Sequence, residues 1–471
     1  MKHFLFSLCT ILVWHTPSLA PALTITEPGV YTLGGDIFFA PGVADTALLI
    51  QSSDVVLDFA NNEIIQTDST AGVDGIRIAP GLKRISIKNG IVRNFTGHGI
   101  AIDVTTQSEK IAISDLLFDT CQTSGITITG ASTLSDASIE RCTFSNCILT
   151  AVGSSVLNLT GSRMIVKDIL ITTENSAGSA VGTTKNPILL QNIASSLFES
   201  IRILNFSAQT AALSIISTTG TVSENVFSNI TADTCQSPAT VTIFNATAGF
   251  GNNIISSLVA QTTISGTGAV FITVNSATNP NLFIGCINLN MSTGSGQSVG
   301  FNFTSCSNQT VIDSLIERMA AKNNNCTPYS CTGCTNLQFI RCSAFNNTAT
   351  GSSTQQNSFS FDSTSTGCIV RDCIAGNNTA TGTSATSRGF FFNNSTECIA
   401  EQNSAYRNIG TGTSIGFVRG ATTNAFILNI ALRNGTTTAN QFSGFGASQF
   451  NTVAIASVNS ITQPFTNAGL I

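Results

Sequence analysis

Short runs in which apolar and polar residues alternate recur along the chain, each bounded by Gly, Asn, Ser or Thr. Gly75-Ile76-Arg77-Ile78, Gly99-Ile100-Ala101-Ile102 and Gly125-Ile126-Thr127-Ile128 share the form Gly-Ile-x-Ile. Alternation over so few positions predicts short strands with one buried face. A second series runs Ile85-Ser86-Ile87, Ile111-Ala112-Ile113, Ser138-Ile139, Ile165-Val166, Leu197-Phe198 and onward to Phe339-Ile340, Ile369-Val370, Ile399 and Phe426-Ile427. Its spacing is 26 residues from 85 to 111, 28 from 111 to 139 and 30 from 369 to 399. No amphipathic helical stretch separates the strands, so a βαβ fold is not expected. Strands that return every turn, with like residues stacked, predict an all-β parallel β-helix solenoid. Asn346-Asn347-Thr348-Ala349-Thr350-Gly351 returns 31 residues later as Asn377-Asn378-Thr379-Ala380-Thr381-Gly382. These elements read as turns lying above one another outside the core. With a sheet spacing of about 4.8 Å, roughly fourteen coils would make a rod on the order of 65 Å long.

Composition narrows the class. Only 10% of the 471 residues are charged, and 20 Lys plus Arg against 25 Asp plus Glu leave −5. That is too few bases to track a phosphate backbone, so no nucleic acid is expected. An apolar content of 42% predicts a packed core despite the abundance of small polar residues. Residues 1–22 read as a signal peptide: Lys2 and His3, then an apolar run over residues 4–14, then Ala20-Pro21-Ala22 for cleavage. No later stretch is long and apolar enough to span a membrane. The expected location is therefore secreted, periplasmic or cell surface. The expected organisation is a cap or first-strand region over residues 23–45 and the solenoid over 46–471.

With Gly-Ile-x-Ile strands and coil-length repeats, the chain resembles the right-handed β-helix repeat proteins of the pectin-lyase-like superfamily. Pro28-Gly29-Val30-Tyr31, Val55-Val56-Leu57-Asp58-Phe59 and Asn89-Gly90 resemble the opening of NosD-like repeats. The resemblance implies a right-handed winding, a capped N-terminal coil and, in some members, polysaccharide lyase or glycoside hydrolase activity. The fold alone does not carry that activity. Gly97-His98-Gly99 matches one element of the polygalacturonase-like hydrolases, but no adjacent Asp-Asp pair and no Arg-Ile-Lys accompany it. The Trp-Ile-Asp-His type of strand of pectate-lyase-like enzymes is absent too, since the one Trp is Trp14.

Of the 25 acidic residues, 14 fall in the first 140, so polar chemistry is sought there. Aligning Gly75, Gly99 and Gly125 puts Asp74, His98 and Ser124 at one coil position, an acid, a base and a nucleophile in a row. Asp74, His98 and Asp103 are the weak catalytic candidates, and a polar turn ladder is the competing account. Asp74, Arg77, His98 and Asp103 together make a patch suited to sugar hydroxyls, and calcium is possible there without being demonstrated, since it wants six or more oxygens. No metal site or other cofactor is assigned.

The chain has 14 cysteines, 13 of them after residue 22. Cys326, Cys331 and Cys334 have C-x4-C-x2-C spacing, which can ligate zinc or iron–sulfur, but in an exported solenoid a disulfide within that loop is the expectation. Cys121 and Cys147 look equivalent on adjacent coils, as a disulfide or as stacked thiols. Phe390-Phe391-Phe392 predicts Phe390 and Phe392 inside and Phe391 facing out. The functional expectation is a non-catalytic binding or adhesion surface for a polysaccharide or a host or cell-surface protein. The alternatives are a polysaccharide lyase or hydrolase, and a self-associating envelope element.

Overall fold

The computed structural model describes residues 8–11, 23–130, 134–147, 155–172, 186–208, 212–247, 249–362, 364–421, 423–434, 441–444 and 451–455. These residues form strands and turns and no helix, and the strands pair in parallel, each with its counterpart one turn further along the chain. The chain is a parallel β-solenoid of about 14 turns. It divides into two compact units, Met1–Cys235 and Gln236–Ile471.

In the first unit the Gly-Ile-x-Ile strands stack in register. Leu48, Ile76, Ile100, Ile126, Leu157, Ile188 and Ile216 follow one another in a single buried column. Ile113, Ile139, Val166, Phe198 and Phe227 form a second. The glycine before each isoleucine has a packing reason. A Cβ at Gly125 would sit 2.3 Å from Phe144 Cδ1, and one at Gly99 would sit 2.6 Å from Phe118 Cδ1. Phe118 and Phe144 stack at 4.7 Å beneath these glycines. Residues 23–45 contain a coil of their own. Leu23–Ile25, Gly29–Leu33 and Ile37–Phe39 pair in parallel with Thr46–Ile50, Val55–Asp58 and Glu63–Gln66. The expected cleavage site at Ala20-Pro21-Ala22 lies outside the described residues.

The second unit replaces aliphatic columns with aromatic ones. Phe301, Tyr329, Phe359, Phe390, Phe417 and Phe442 stack in register, with neighbouring centroids 4.5 to 5.4 Å apart and planes within 10°. Offset stacking adds about 0.5–1.5 kcal/mol per pair beyond burial. The Tyr329 hydroxyl donates to the carbonyls of Ser314 and Ser343, so its polar end is satisfied inside. Phe390 and Phe392 are fully buried, whereas Phe391 is partly exposed, as alternation predicts.

A period of five residues recurs in part of many of the described coils. Arg84, Asn89 and Asn94 have positive φ, as do Lys110, Asp115 and Thr120, and Asp313, Arg318 and Asn323. Each bends the chain, within a strand at Arg84, Asn89, Lys110 and Asp115 and between strands at Asp313 and Arg318, and the residue after each is buried except after Asn323. Left-handed backbone costs an L-residue about 1 kcal/mol or more, least for Asn and Asp. The repeated Asn-Asn-Thr-Ala-Thr-Gly segments therefore are not turns outside the core, as alternation alone implied. Asn346 and Asn377 are the corners, while Asn347 and Asn378 are fully buried. Thr348–Thr350 and Thr379–Thr381 are paired strands. The Asn378 carboxamide oxygen accepts from the Asn347 Nδ2 at 2.9 Å and the Asn347 backbone N–H at 3.0 Å. Asn408 and Asn434 extend the same ladder. An amide column buries polar groups without leaving them unpaired.

Candidate functional site

The strands Asp74–Ile78, His98–Asp103 and Ser124–Thr129 place the residues of the expected patch. Asp74 is 5% exposed, and its Oδ1 accepts from the backbone N–H of His98 at 2.9 Å, while Oδ2 lies 3.2 Å from Arg77 Nη2. The carboxylate thus joins two coils through a main-chain amide, and the imidazole is not its partner. His98 Nδ1 is buried without a hydrogen bond. Burial holds the imidazole below its usual value of 6.5, against the opposing pull of Asp74. Ser124 stands in register with His98, but its hydroxyl donates to the Thr123 carbonyl at 2.8 Å. The row exists; the relay from acid to base to nucleophile is not wired.

Asp103 lies at the other end of its strand from His98, on the order of 16 Å away along extended chain. It accepts from the Thr105 N–H two residues on, which closes a local turn. Arg77, Ala101 and Thr127 do share a register position, with Arg77 exposed and Thr127 buried. Among the described residues no group of three or more His, Cys, Asp or Glu is arranged to hold a metal ion.

Most of the cysteines follow a corner residue of positive φ, whereas Cys326 and Cys331 lie on a strand. All 13 described thiols are free and buried. Cys326–Thr332 is a strand, which holds Cys326 and Cys331 apart along its length. Cys331 instead meets Cys368 of the next coil, Sγ to Sγ 3.8 Å. Cys334 contacts Cys306 and Cys331, which hold its thiol below the ordinary value, whereas burial raises Cys326 and Cys235, the latter to about 12. Cys121 and Cys147 are touching thiols on adjacent coils.

A lateral groove in the second unit gathers groups that the sequence reading missed. Leu315–Glu317, Ser343–Phe345, Ile374–Gly376 and Ser404–Tyr406 are stacked three-residue strands. Their middle residues, Ile316, Ala344, Ala375 and Ala405, are buried, so the flanking side chains face outward. Register puts Glu317, Phe345, Gly376 and Tyr406 in one outward row. Gly376 leaves a gap into which both rings lean, since a Cβ there would meet Tyr406 Cζ at 2.5 Å and Phe345 Cε1 at 2.8 Å. The rings lie 6.2 Å apart at 49°. Asp313, Arg341, Asn346 and Asn377 complete a cleft of about 600 Å³.

Its charges are ordered. Arg341 grips Asp313 through Nε at 2.7 Å and Nη2 at 2.9 Å, which holds the carboxyl below its ordinary value. Glu317 accepts from Asn346 Nδ2 at 3.2 Å and faces Arg318 at 3.6 Å. The signal in the sequence was Ser-Ala-Phe, Ile-Ala-Gly and Ser-Ala-Tyr at one coil position, visible once the five-residue period is known.

No family model and no curated protein matches the chain. Solved structures similar to it are β-helix modules at low identity. The A-module of the mannuronan C-5 epimerase AlgE4 of Azotobacter vinelandii is 11% identical over 89% of this chain and 90% of its own, with a TM-score of 0.27. The AlgE6 A-module of the same organism is 11% identical over 87% and 85%, with a TM-score of 0.24. The PL6 family alginate lyase AlyGC is 8% identical over 88% and 89%, with a TM-score of 0.17.

Proposed function

We propose that this protein is an exported, non-catalytic β-helix that binds glycan on the lateral face of its second unit. The observation that carries the reading is the Phe345–Gly376–Tyr406 row with its polar rim. Sugars present apolar C–H faces and a fringe of hydroxyls. Two tilted rings beside a glycine gap supply the stacking surface, and Asp313, Glu317, Asn346 and Asn377 supply acceptors and donors at its edge. The carboxylates are engaged by Arg341, Arg318 and Asn346, so they act as fixed hydrogen-bond acceptors. Export rests on residues 1–22 of the sequence.

A glycan array on the full chain tests it. Tyr406→Ala and Phe345→Ala each lower affinity for the bound glycan about tenfold, with unchanged far-UV dichroism. Retained affinity in both variants removes the groove from the account. Release of reducing ends or unsaturated sugars by the wild type would replace binding with the lyase or hydrolase reading.

A further inference from the structure

Eight of the 13 described cysteines stand one above another in pairs. Cys121 and Cys147, Cys306 and Cys334, Cys342 and Cys373, and Cys368 and Cys398 each share a register position on successive coils. The flanking partners Asp119 and Ser145, Ser307 and Thr335, Ser343 and Ile374, and Ile369 and Ile399 fix that register. All eight follow a residue of positive φ and are buried. Within each pair the thiols touch. Cys326 and Cys331 are buried as deeply but have no cysteine in register. Cys326 stands between Ser298 and Gln356, and Cys331 between Phe303 and Phe361.

Other coils put this position to a different use. In the column that holds Cys342 and Cys373, Ser314 Oγ accepts the Cys286 backbone N–H at 3.2 Å, and Asn403 Oδ1 accepts that of Cys373 at 2.9 Å. Between them Cys373 Sγ takes the Cys342 N–H at 3.3 Å, and sulfur is a weak acceptor. A cysteine here gives up a good hydrogen bond between coils. What it offers instead is a second sulfur at the same position one coil away. In-register parallel strands hold the paired Cα atoms about 4.8 Å apart, inside the range of roughly 4.4–6.8 Å that a disulfide spans. Side-chain rotation then joins the sulfurs without a change of register.

From this geometry we infer that the four pairs are sites of disulfide formation, each a covalent staple between successive coils. The oxidant is a small-molecule disulfide. The thiolate of one cysteine attacks it, the S–S bond of the reagent breaks, and one small thiol departs from a mixed disulfide on the protein. The partner thiolate attacks the protein sulfur of that mixed disulfide, the Cys–Cys bond forms, and the second small thiol leaves. Two protein thiols are oxidised, one reagent disulfide is reduced to two thiols, and the two protons go with them. Finished coils shut the thiols away, so closure accompanies folding, as each coil docks on its neighbour. The staples close loops of 26, 28, 31 and 30 residues, long enough for the unfolded chain to lose substantial freedom.

Peptide mapping of the full chain tests the inference. The chain is synthesised and folded in a cell-free system that contains either excess oxidised glutathione or dithiothreitol. It is then unfolded with an alkylating reagent and digested without reduction. Folding with the disulfide yields the four linked peptide pairs, while Cys326 and Cys331 are alkylated. Folding with dithiothreitol yields alkylation throughout. The oxidised chain melts about 5 °C or more above the reduced one. The double variant Cys342→Ser, Cys373→Ser loses one linked pair and narrows that gap, and serine already serves this position at Ser314. Alkylation of all eight cysteines after folding with oxidised glutathione overturns the inference whether or not the variant folds. Linked peptides that join cysteines out of register, Cys331 to Cys368 above all, overturn the assignment of pairs. Equal melting of the oxidised and reduced chains overturns the stapling role.

Discussion

His98 shows how little a residue type says before its neighbours are known. Between an aspartate and a serine in sequence-equivalent positions it had the makings of a general base. In the fold its amide takes the Asp74 carboxylate and its ring is buried with Nδ1 unpaired. The consequence is for stability. The folded imidazole titrates below its ordinary 6.5, so the unfolded chain takes up the proton first as pH falls. His98 therefore contributes stability that is whole above about pH 6.5 and is lost as pH falls through the folded value. Thermal melts between about pH 7.5 and pH 5 show a falling Tm in the wild type and a flatter line in His98→Gln. The cysteines carry the same lesson. Their spacing was legible, but whether a thiol faces a loop, a metal or a core depends on which residue beside it has positive φ.

At the scale of the element, the corner explains where the charges go. Asp and Arg occupy the same corner column on successive coils, Asp115 beneath Arg141 and Asp136 beneath Arg163, each joined by two hydrogen bonds. The paired arginine holds Asp54, Asp115, Asp136 and Asp313 below the ordinary 3.8. For a depressed carboxylate the stabilisation is complete above the unfolded value and disappears as pH drops through the folded one. Acid unfolding below about pH 4 is accordingly shallower in an Asp115→Asn, Asp136→Asn double variant than in wild type, read by dichroism against pH. These pairs are exposed, so the effect at neutral pH is small. The strands themselves were legible, because the period of two is written in apolar residues. The corners were not, because Arg, Asp, Asn, Thr and Ser all serve there and share no hydrophobic signature.

For the molecule as a whole, each coil packs chiefly on its two neighbours, so coils behave as nearly interchangeable units. Residues 348–378 make one such turn: Thr348 stacks under Thr379 and above Ala320. Deleting those residues joins Asn347 to Thr379 and restores the same columns one coil shorter. The shortened chain keeps its strand dichroism and a cooperative melt, and it loses glycan binding because Phe345 then lies against Tyr406 without the Gly376 gap. A chain that fails to fold shows that this coil carries contacts beyond its neighbours.

What the sequence by itself determined is the parallel solenoid, its register and its main core columns. Those depend on alternation and on a coil-length repeat, both local patterns that survive reading in one dimension. The Gly-Ile-x-Ile repeat predicts Ile76, Ile100 and Ile126 as one pile, and they are one pile. Only the tertiary structure decided that Asn347 and Asn378 are inside, that Asp74 serves an amide and not an imidazole, and that Phe345 and Tyr406, two coils apart, face each other across a glycine. The reason is that side-chain direction at a corner is set by one backbone dihedral, and a surface groove is assembled from single residues contributed by separate turns. Neither leaves a period in the chain.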